Sequence, residues 1–240
     1  MTDNDMAGRA VIITGGAGGA GHKVTRRWLE AGASVLVADD AQAALDRLRE
    51  TLPLTERLVT LAADVTTEAG AARMVAGAAD AFGRSADTLI HLVGGYAFGP
   101  LDAQDAPQAW DRMLALNLTS AFHCYRALLP GLRARGGGWI VGMGSRAATE
   151  PGADLTAYAA SKAGLVALTQ SLSAEVRGVG IHVNLMLAST IDTPATRRAL
   201  GTDRAMDWVT PDDIAEATFY LCSERARAVH GATLELYANA

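Results

Sequence analysis

Tyr158 and Lys162 stand four residues apart in Tyr158-Ala159-Ala160-Ser161-Lys162, where the apolar spacing that follows predicts a long helix. That spacing puts both side chains on one helical face, one turn apart. A free phenol, with a pKa of about 10, is a poor base near neutrality. A neighbouring ammonium favours the phenolate and lowers that value. Two features separate this pair from the solvated Tyr/Lys pairs common on helices. Of the 21 basic residues only Lys23 and Lys162 are lysines, so a compact ammonium stands where a planar guanidinium would have the wrong geometry. Ser145, just after a predicted strand, brings a hydroxyl able to reach the same carbonyl oxygen as the phenol.

A second group of residues suits a phosphate. The first apolar run leads into Thr14-Gly15-Gly16-Ala17-Gly18-Gly19-Ala20-Gly21, and a helical pattern follows at once. Glycines let the backbone turn sharply and approach a pyrophosphate, which then sits at the positive end of the helix. Strand before, helix after and first unit of the chain together select a dinucleotide site over a plain tight turn. The second predicted strand ends at Ala38-Asp39-Asp40. An acid about 20 residues past the glycines accepts hydrogen bonds from the adenosine ribose hydroxyls. It would meet a 2′-phosphate as a like charge, and no Arg or Lys lies in the glycine turn or beside Asp39. NAD(H) is therefore the expected cofactor, with Asp39 for the ribose and Asp40 as the cap of the next helix. Asp64 suits adenine or a helix cap equally well.

These groups need a scaffold that gathers them. Short apolar runs at 10–14, 34–38, 58–62, 88–93, 139–143, 181–187 and 233–237 alternate with longer amphipathic stretches. Near-continuous apolar strands are those covered on both faces. Ala20, Val24, Trp28 and Ala31 share one helical face, as do Ala71, Met74, Val75, Ala78 and Phe82, and then Leu165, Leu168, Leu172 and Val176. Gly32, Gly83 and Gly178 fall where helices should end. The expectation is α/β: a single doubly wound Rossmann domain over residues 1–240, with a seven-stranded, mainly parallel sheet and helices on both faces. Ligands in such folds lie beyond the carboxyl ends of the strands. The one long irregular segment, residues 190–209, is either a substrate lid or a surface excursion.

Taken together, Thr14-Gly15-x-x-x-Gly19-x-Gly21, Asp64-Val65, Asn117 in Leu116-Asn117-Leu118, Ser145 and Tyr158-x-x-x-Lys162 resemble the short-chain dehydrogenase/reductase superfamily over nearly the whole chain. The resemblance implies a catalytic tetrad. Tyr158 would be the general acid or base, Ser145 would polarise the substrate oxygen, Lys162 would hold the nicotinamide ribose and tune Tyr158, and Asn117 would anchor a proton-relaying water. It further implies cofactor contacts at Thr14, Gly15, Gly19, Gly21, Asp39, Asp64, Val65 and Gly94. The Ile191 backbone and Thr193 hydroxyl would grip the carboxamide. A homodimer or homotetramer is implied as well. The chain departs from the family pattern at His91-Leu92-Val93-Gly94, where Asn-Asn-Ala-Gly is common, at Ala188-Ser189 in place of Pro-Gly, and in lacking a C-terminal Gly pair. His91, inside an apolar strand, reads as a hydrogen-bonded core residue and not as a base. The segments Gly94-Gly95-Tyr96-Ala97-Phe98-Gly99 and Asp192-Thr193-Pro194 through Trp208 are similar to quinoid dihydropteridine reductase, although that enzyme's pattern lacks the serine present here as Ser145.

Composition limits the alternatives. A net charge of −5 argues against nucleic acid or an anionic membrane as partner. No apolar run reaches the roughly 20 residues of a membrane helix. The acidic start, residues 1–8, lacks the features of a signal peptide, so a cytoplasmic location is expected. Cys124 and Cys222 lie far apart, and the five histidines have no metal-ligand spacing, so no metal is expected. The expected activity is hydride exchange between NAD(H) and a small carbonyl or alcohol. The alternatives are reduction of a quinonoid dihydropterin and NAD(H) sensing without turnover. On residues 190–209, Arg197, Arg198 and Arg204 either pair with a substrate carboxylate or planar ring, beside walls from Tyr96 and Phe98, or merely solvate an exposed helix.

Overall fold

The computed structural model describes residues 6–52 and 55–239; residues 1–5, 53–54 and 240 of the expected domain lie outside them. Seven strands form one sheet: β1 (Ala10–Thr14), β2 (Ser34–Asp39), β3 (Leu58–Ala62), β4 (Thr88–His91), β5 (Gly138–Ser145), β6 (Ile181–Ala188) and β7 (Thr233–Leu236). The order is β3-β2-β1-β4-β5-β6-β7, and every pairing is parallel. The helices between them are α1 (Gly21–Glu30), α2 (Gln42–Thr51), α3 (Glu68–Phe82), α4 (Ala106–Leu114), α5 (Ser120–Arg135), α6 (Thr156–Glu175), α7 (Pro194–Leu200) and α8 (Pro211–Leu221).

Alternate strand residues feed two apolar layers, as the two-residue period of a strand requires. Val11, Ile13, Val35 and Val37 meet α1, α2 and α8 through Val24, Trp28, Leu45, Leu48 and Ile214. Ile12, Leu36, Leu89 and Ile140 meet α3, α5 and α6 through Met74, Ala78, Leu128 and Leu165. Strand order reverses between β1 and β4, which opens a crevice at their carboxyl ends. Gly15, Asp39, Asp64, Val65, Gly94 and Leu116 line a cavity of about 350 Å³ in that crevice.

Three expectations are corrected. Strand β4 stops at His91 and not at 93: the bond from Leu92 N–H to the Thr14 carbonyl (3.1 Å) is its last rung to β1, and beyond it the chain leaves the sheet. Asp40 does not cap α2. Ala41 holds that position without a side-chain cap, and Asp39 Oδ1 accepts the Ala41 N–H at 3.1 Å. Residues 190–209 are largely regular: Thr193 caps α7, a 3-10 turn spans Ala205–Asp207, and Ile191 bridges to Val209.

Candidate active site

The phosphate end is shaped by backbone contacts that exclude side chains. Gly15 adopts φ +67°, and a Cβ there would lie 3.1 Å from Val93 N. At Gly21 a Cβ would fall 2.1 Å from the Gly15 carbonyl oxygen. No side chain caps the N-terminus of α1, where Ala20 stands, so the positive end of the helix faces the glycine turn. Gly19 packs on Thr193, whose hydroxyl caps α7 through Thr196 N–H (3.1 Å) and pairs with Thr196 Oγ1 (2.9 Å). Asp39 is half-buried at the end of β2, and burial raises its pKa most. Asp64 Oδ1 accepts from Thr66 N–H (2.9 Å) and Thr66 Oγ1 (2.6 Å), while Thr67 caps α3. Val65 is buried beside it.

The chemical end is built by β5, α6 and a turn between α4 and α5. Ser145 closes β5, and its Oγ accepts the Ala147 N–H at 3.2 Å. Tyr158 and Lys162 both lie on α6. The Tyr158 ring meets the Tyr96 ring edge-on, with centroids 5.1 Å apart, and Ser145 is near enough to draw the phenol's pKa down. Lys162 is only 4 % exposed and donates from Nζ to the Met143 carbonyl at 2.8 Å. Gly94 lies against both Lys162 and Asn117: a Cβ there would stand 3.2 Å from Lys162 Nζ and 2.8 Å from Asn117 Oδ1.

Burial sets the proton affinities here. It holds the Lys162 ammonium down at about 8 and raises the Tyr158 phenol above its ordinary value. The nearby Ser145 side chain pulls the phenol down in part, and Tyr96 pushes it further up. The expectation that Lys162 lowers the phenol pKa is therefore not met in this geometry, where desolvation is the larger effect.

Asn117 sits in a π-turn, Ala115–Thr119, between α4 and α5; such turns recur at functional sites. Its Oδ1 accepts the Gly95 N–H (2.8 Å), and its Nδ2 donates to the Gly95 carbonyl (3.1 Å) and to Ser161 Oγ (2.9 Å). Ser161 in turn donates to the Tyr158 carbonyl at 2.7 Å. Ser161 and the Met143 carbonyl were not singled out from the sequence. Ser161 lies inside the Tyr158–Lys162 segment and offered a polar residue on α6 as a signal; a backbone carbonyl offers none.

Ser145, Tyr158, Lys162, Asn117 and Gly94 thus converge, and Gly15, Asp39, Asp64 and Val65 share the neighbouring cavity. Thr193 lies across the glycine turn at Gly19, and Ile191, two residues before it, bridges to Val209. Two arginines of residues 190–209 already have partners. Arg197 forks onto Asp192 through hydrogen bonds of 2.5 and 2.6 Å, and Arg204 reaches Asp207 at 3.4 Å. His91 is buried between two hydroxyls, Thr14 and Ser120, as the sequence suggested. Among the described residues no cluster suits a metal, and no helix is long and apolar enough to cross a membrane.

This arrangement recurs in known proteins. Residues 9–203 match the family model for short chain dehydrogenases. The chain is 32 % identical to 2-(S)-hydroxypropyl-CoM dehydrogenase 3 of Xanthobacter autotrophicus, with 95 % of each chain covered. It is 28 % identical to D-beta-hydroxybutyrate dehydrogenase of Cupriavidus necator, again with 95 % of each covered. Among solved structures, the 3-ketoacyl-(acyl-carrier-protein) reductase of Brucella melitensis complexed with NADH superposes with a TM-score of 0.84 at 26 % identity, covering 96 % of this chain and 97 % of that one. The seven-stranded parallel sheet, the glycine turn and the matched residues lead to one assignment: the chain belongs to the short chain dehydrogenase family of oxidoreductases.

Proposed function

We propose that the enzyme exchanges a hydride between NAD(H) and a small carbonyl or alcohol, with Tyr158 as the proton-transfer residue. The observation that carries this reading is the convergence of Tyr158 and Lys162 on α6 with Ser145 at the end of β5, where the buried Lys162 ammonium is anchored to the Met143 carbonyl two residues before Ser145. A carbonyl oxygen placed between the two hydroxyls is polarised by Ser145 and receives its proton from Tyr158 Oη. Lys162 keeps a positive charge at the site while its ammonium is anchored to Met143. The glycine turn, the uncapped start of α1 and the Asp39 carboxylate fit a pyrophosphate and a ribose without a 2′-phosphate. The relatives named above are, by their names, dehydrogenases or reductases of hydroxyl and keto compounds, and they lend no support to a pterin. With Arg197 held by Asp192, the exposed Tyr96 and Phe98 rings are the more available recognition surface. A compact or planar substrate is the reading they favour. Oxidation of NADH against small ketones, aldehydes, a quinonoid dihydropterin and a long-chain 3-ketoacyl thioester tests it. A clear preference for the thioester or the pterin overturns the proposed substrate class.

Cofactor choice gives a separate check. NADH should exceed NADPH by at least about tenfold in kcat/KM, since about 1.4 kcal/mol of charge repulsion at Asp39 suffices. Asp39→Ala should erode that preference, and a wild-type preference for NADPH contradicts the role given to β2.

The two directions should also differ in their pH dependence. Carbonyl reduction needs the phenol, the form present below its pKa and lost above it. It should be flat near neutrality and decline only as Lys162, at about 8, and then Tyr158 lose protons. Alcohol oxidation needs the phenolate and should rise with pH over the same range. Initial rates in both directions across buffers decide the point, and parallel profiles count against Tyr158 as the shared acid and base.

A further inference from the structure

Below the reacting groups lies a continuous line of hydrogen bonds whose donors all point one way. His91 is 1 % exposed. Its Nδ1 lies 2.8 Å from Thr14 Oγ1 and its Nε2 lies 3.1 Å from Ser120 Oγ. Ser120 Oγ donates its only proton to the Leu116 carbonyl at 2.7 Å, so it must accept from the imidazole. Nε2 therefore carries the ring proton and Nδ1 accepts from the Thr14 hydroxyl. The sequence of donations runs Thr14 to His91, His91 to Ser120, and Ser120 to Leu116.

The last of these bonds lies at the π-turn. In an α-helix the Leu116 carbonyl would accept the Ser120 N–H; here that N–H bonds to the Ala115 carbonyl instead. The Ser120 hydroxyl takes its place on Leu116 and fastens the widened turn. The next residue, Asn117, pins both polar groups of Gly95 and passes a hydrogen bond through Ser161 to the backbone of Tyr158.

We propose that His91 is a positioning residue: through Ser120 it fixes the π-turn that presents Asn117, and through Thr14 it ties that turn to the strand feeding the glycine loop. This inference rests on the proposed function only for its catalytic consequence. A proton-transfer role for the imidazole is opposed by burial and by the nearby Lys162 charge, which bring its pKa down to about 3 and keep it neutral. The Tyr125 ring, edge-on at 6.1 Å, completes its surroundings.

Three variants test the proposal. His91→Leu removes both hydrogen bonds. His91→Gln keeps an acceptor for Thr14 and a donor for Ser120. Ser120→Ala removes one hydroxyl and almost no core volume. Amide hydrogen exchange, measured without added cofactor, should rise over residues 115–121 in His91→Leu and Ser120→Ala relative to α1 of the same variant, and should return towards wild type in His91→Gln. With substrate and NADH, His91→Leu should lower kcat about tenfold and leave the substrate KM within about twofold, and His91→Gln should recover most of that loss. Exchange that is unchanged, or raised equally in α1, overturns the proposal. So does His91→Gln behaving like His91→Leu. Raised exchange with an unaltered kcat upholds the positioning of the turn and removes Asn117 from the proposed reaction instead.

Discussion

Tyr158→Phe should lower turnover by about 10² or more while NADH binding stays close to wild type. The substitution deletes one oxygen and preserves the ring, so the edge-on packing on Tyr96 and the course of α6 are retained. What disappears is the one ionisable group of that side chain, whose proton the proposed reaction uses. Lys162 keeps its bond to the Met143 carbonyl, and the glycine turn is untouched. Steady-state rates alongside fluorescence titration of NADH separate the two effects. A near-normal rate would move the acid–base role to Ser145. A large loss of NADH affinity would mean that the phenol serves the cofactor site more than the substrate.

Gly21→Ala should weaken NADH binding by about ten- to a hundredfold, because its Cβ has nowhere to go. It would meet Gly15 O at 2.1 Å and Gly16 Cα at 2.6 Å, both backbone atoms. Relief requires opening the turn closed by the Gly18 N–H to Gly15 carbonyl bond (3.0 Å). Overpacking of this kind costs roughly 1–3 kcal/mol, which corresponds to that range of affinity if the strain falls on the turn. The thermal midpoint of the free protein should change less, since the turn lies at the rim of the sheet. Wild-type NADH affinity in Gly21→Ala would mean that the turn does not shape the phosphate site.

Much of this was legible because local pattern and burial agree. Val11, Ile12 and Ile13 form an unbroken apolar run and are buried on both faces, so the period of the sequence revealed the strand and its two layers. Strand ends were less legible, since backbone pairing carries β5 through to Ser145 and β6 to Ala188 beyond the apolar runs. The α7 start was readable in Thr193-Pro194, a capping residue followed by proline at the first helical position, although the segment as a whole reads as irregular. The π-turn has no sequence signature, because its register comes from Ser120 and His91, which are distant from each other in the chain. The Tyr158–Lys162 spacing placed both groups on one face correctly. It could not show that Lys162 turns to a carbonyl of β5, which is a tertiary contact.

The position of β1 in the middle of the sheet also governs how the chain is made. Its partner on one side, β2, follows closely: Val11 pairs with Val35. On the other side the same residue pairs with Thr88, so that edge has no neighbour until β4 has left the ribosome. A nascent chain that has released only β1, β2 and β3 therefore presents an apolar strand with unpaired amides and carbonyls, the surface on which aggregation by edge pairing begins. Closing it brings together residues far apart along the chain, and such non-local pairing slows folding. Synthesis rate and chaperone supply, more than the stability of the finished sheet, should then determine how much enzyme a cell recovers.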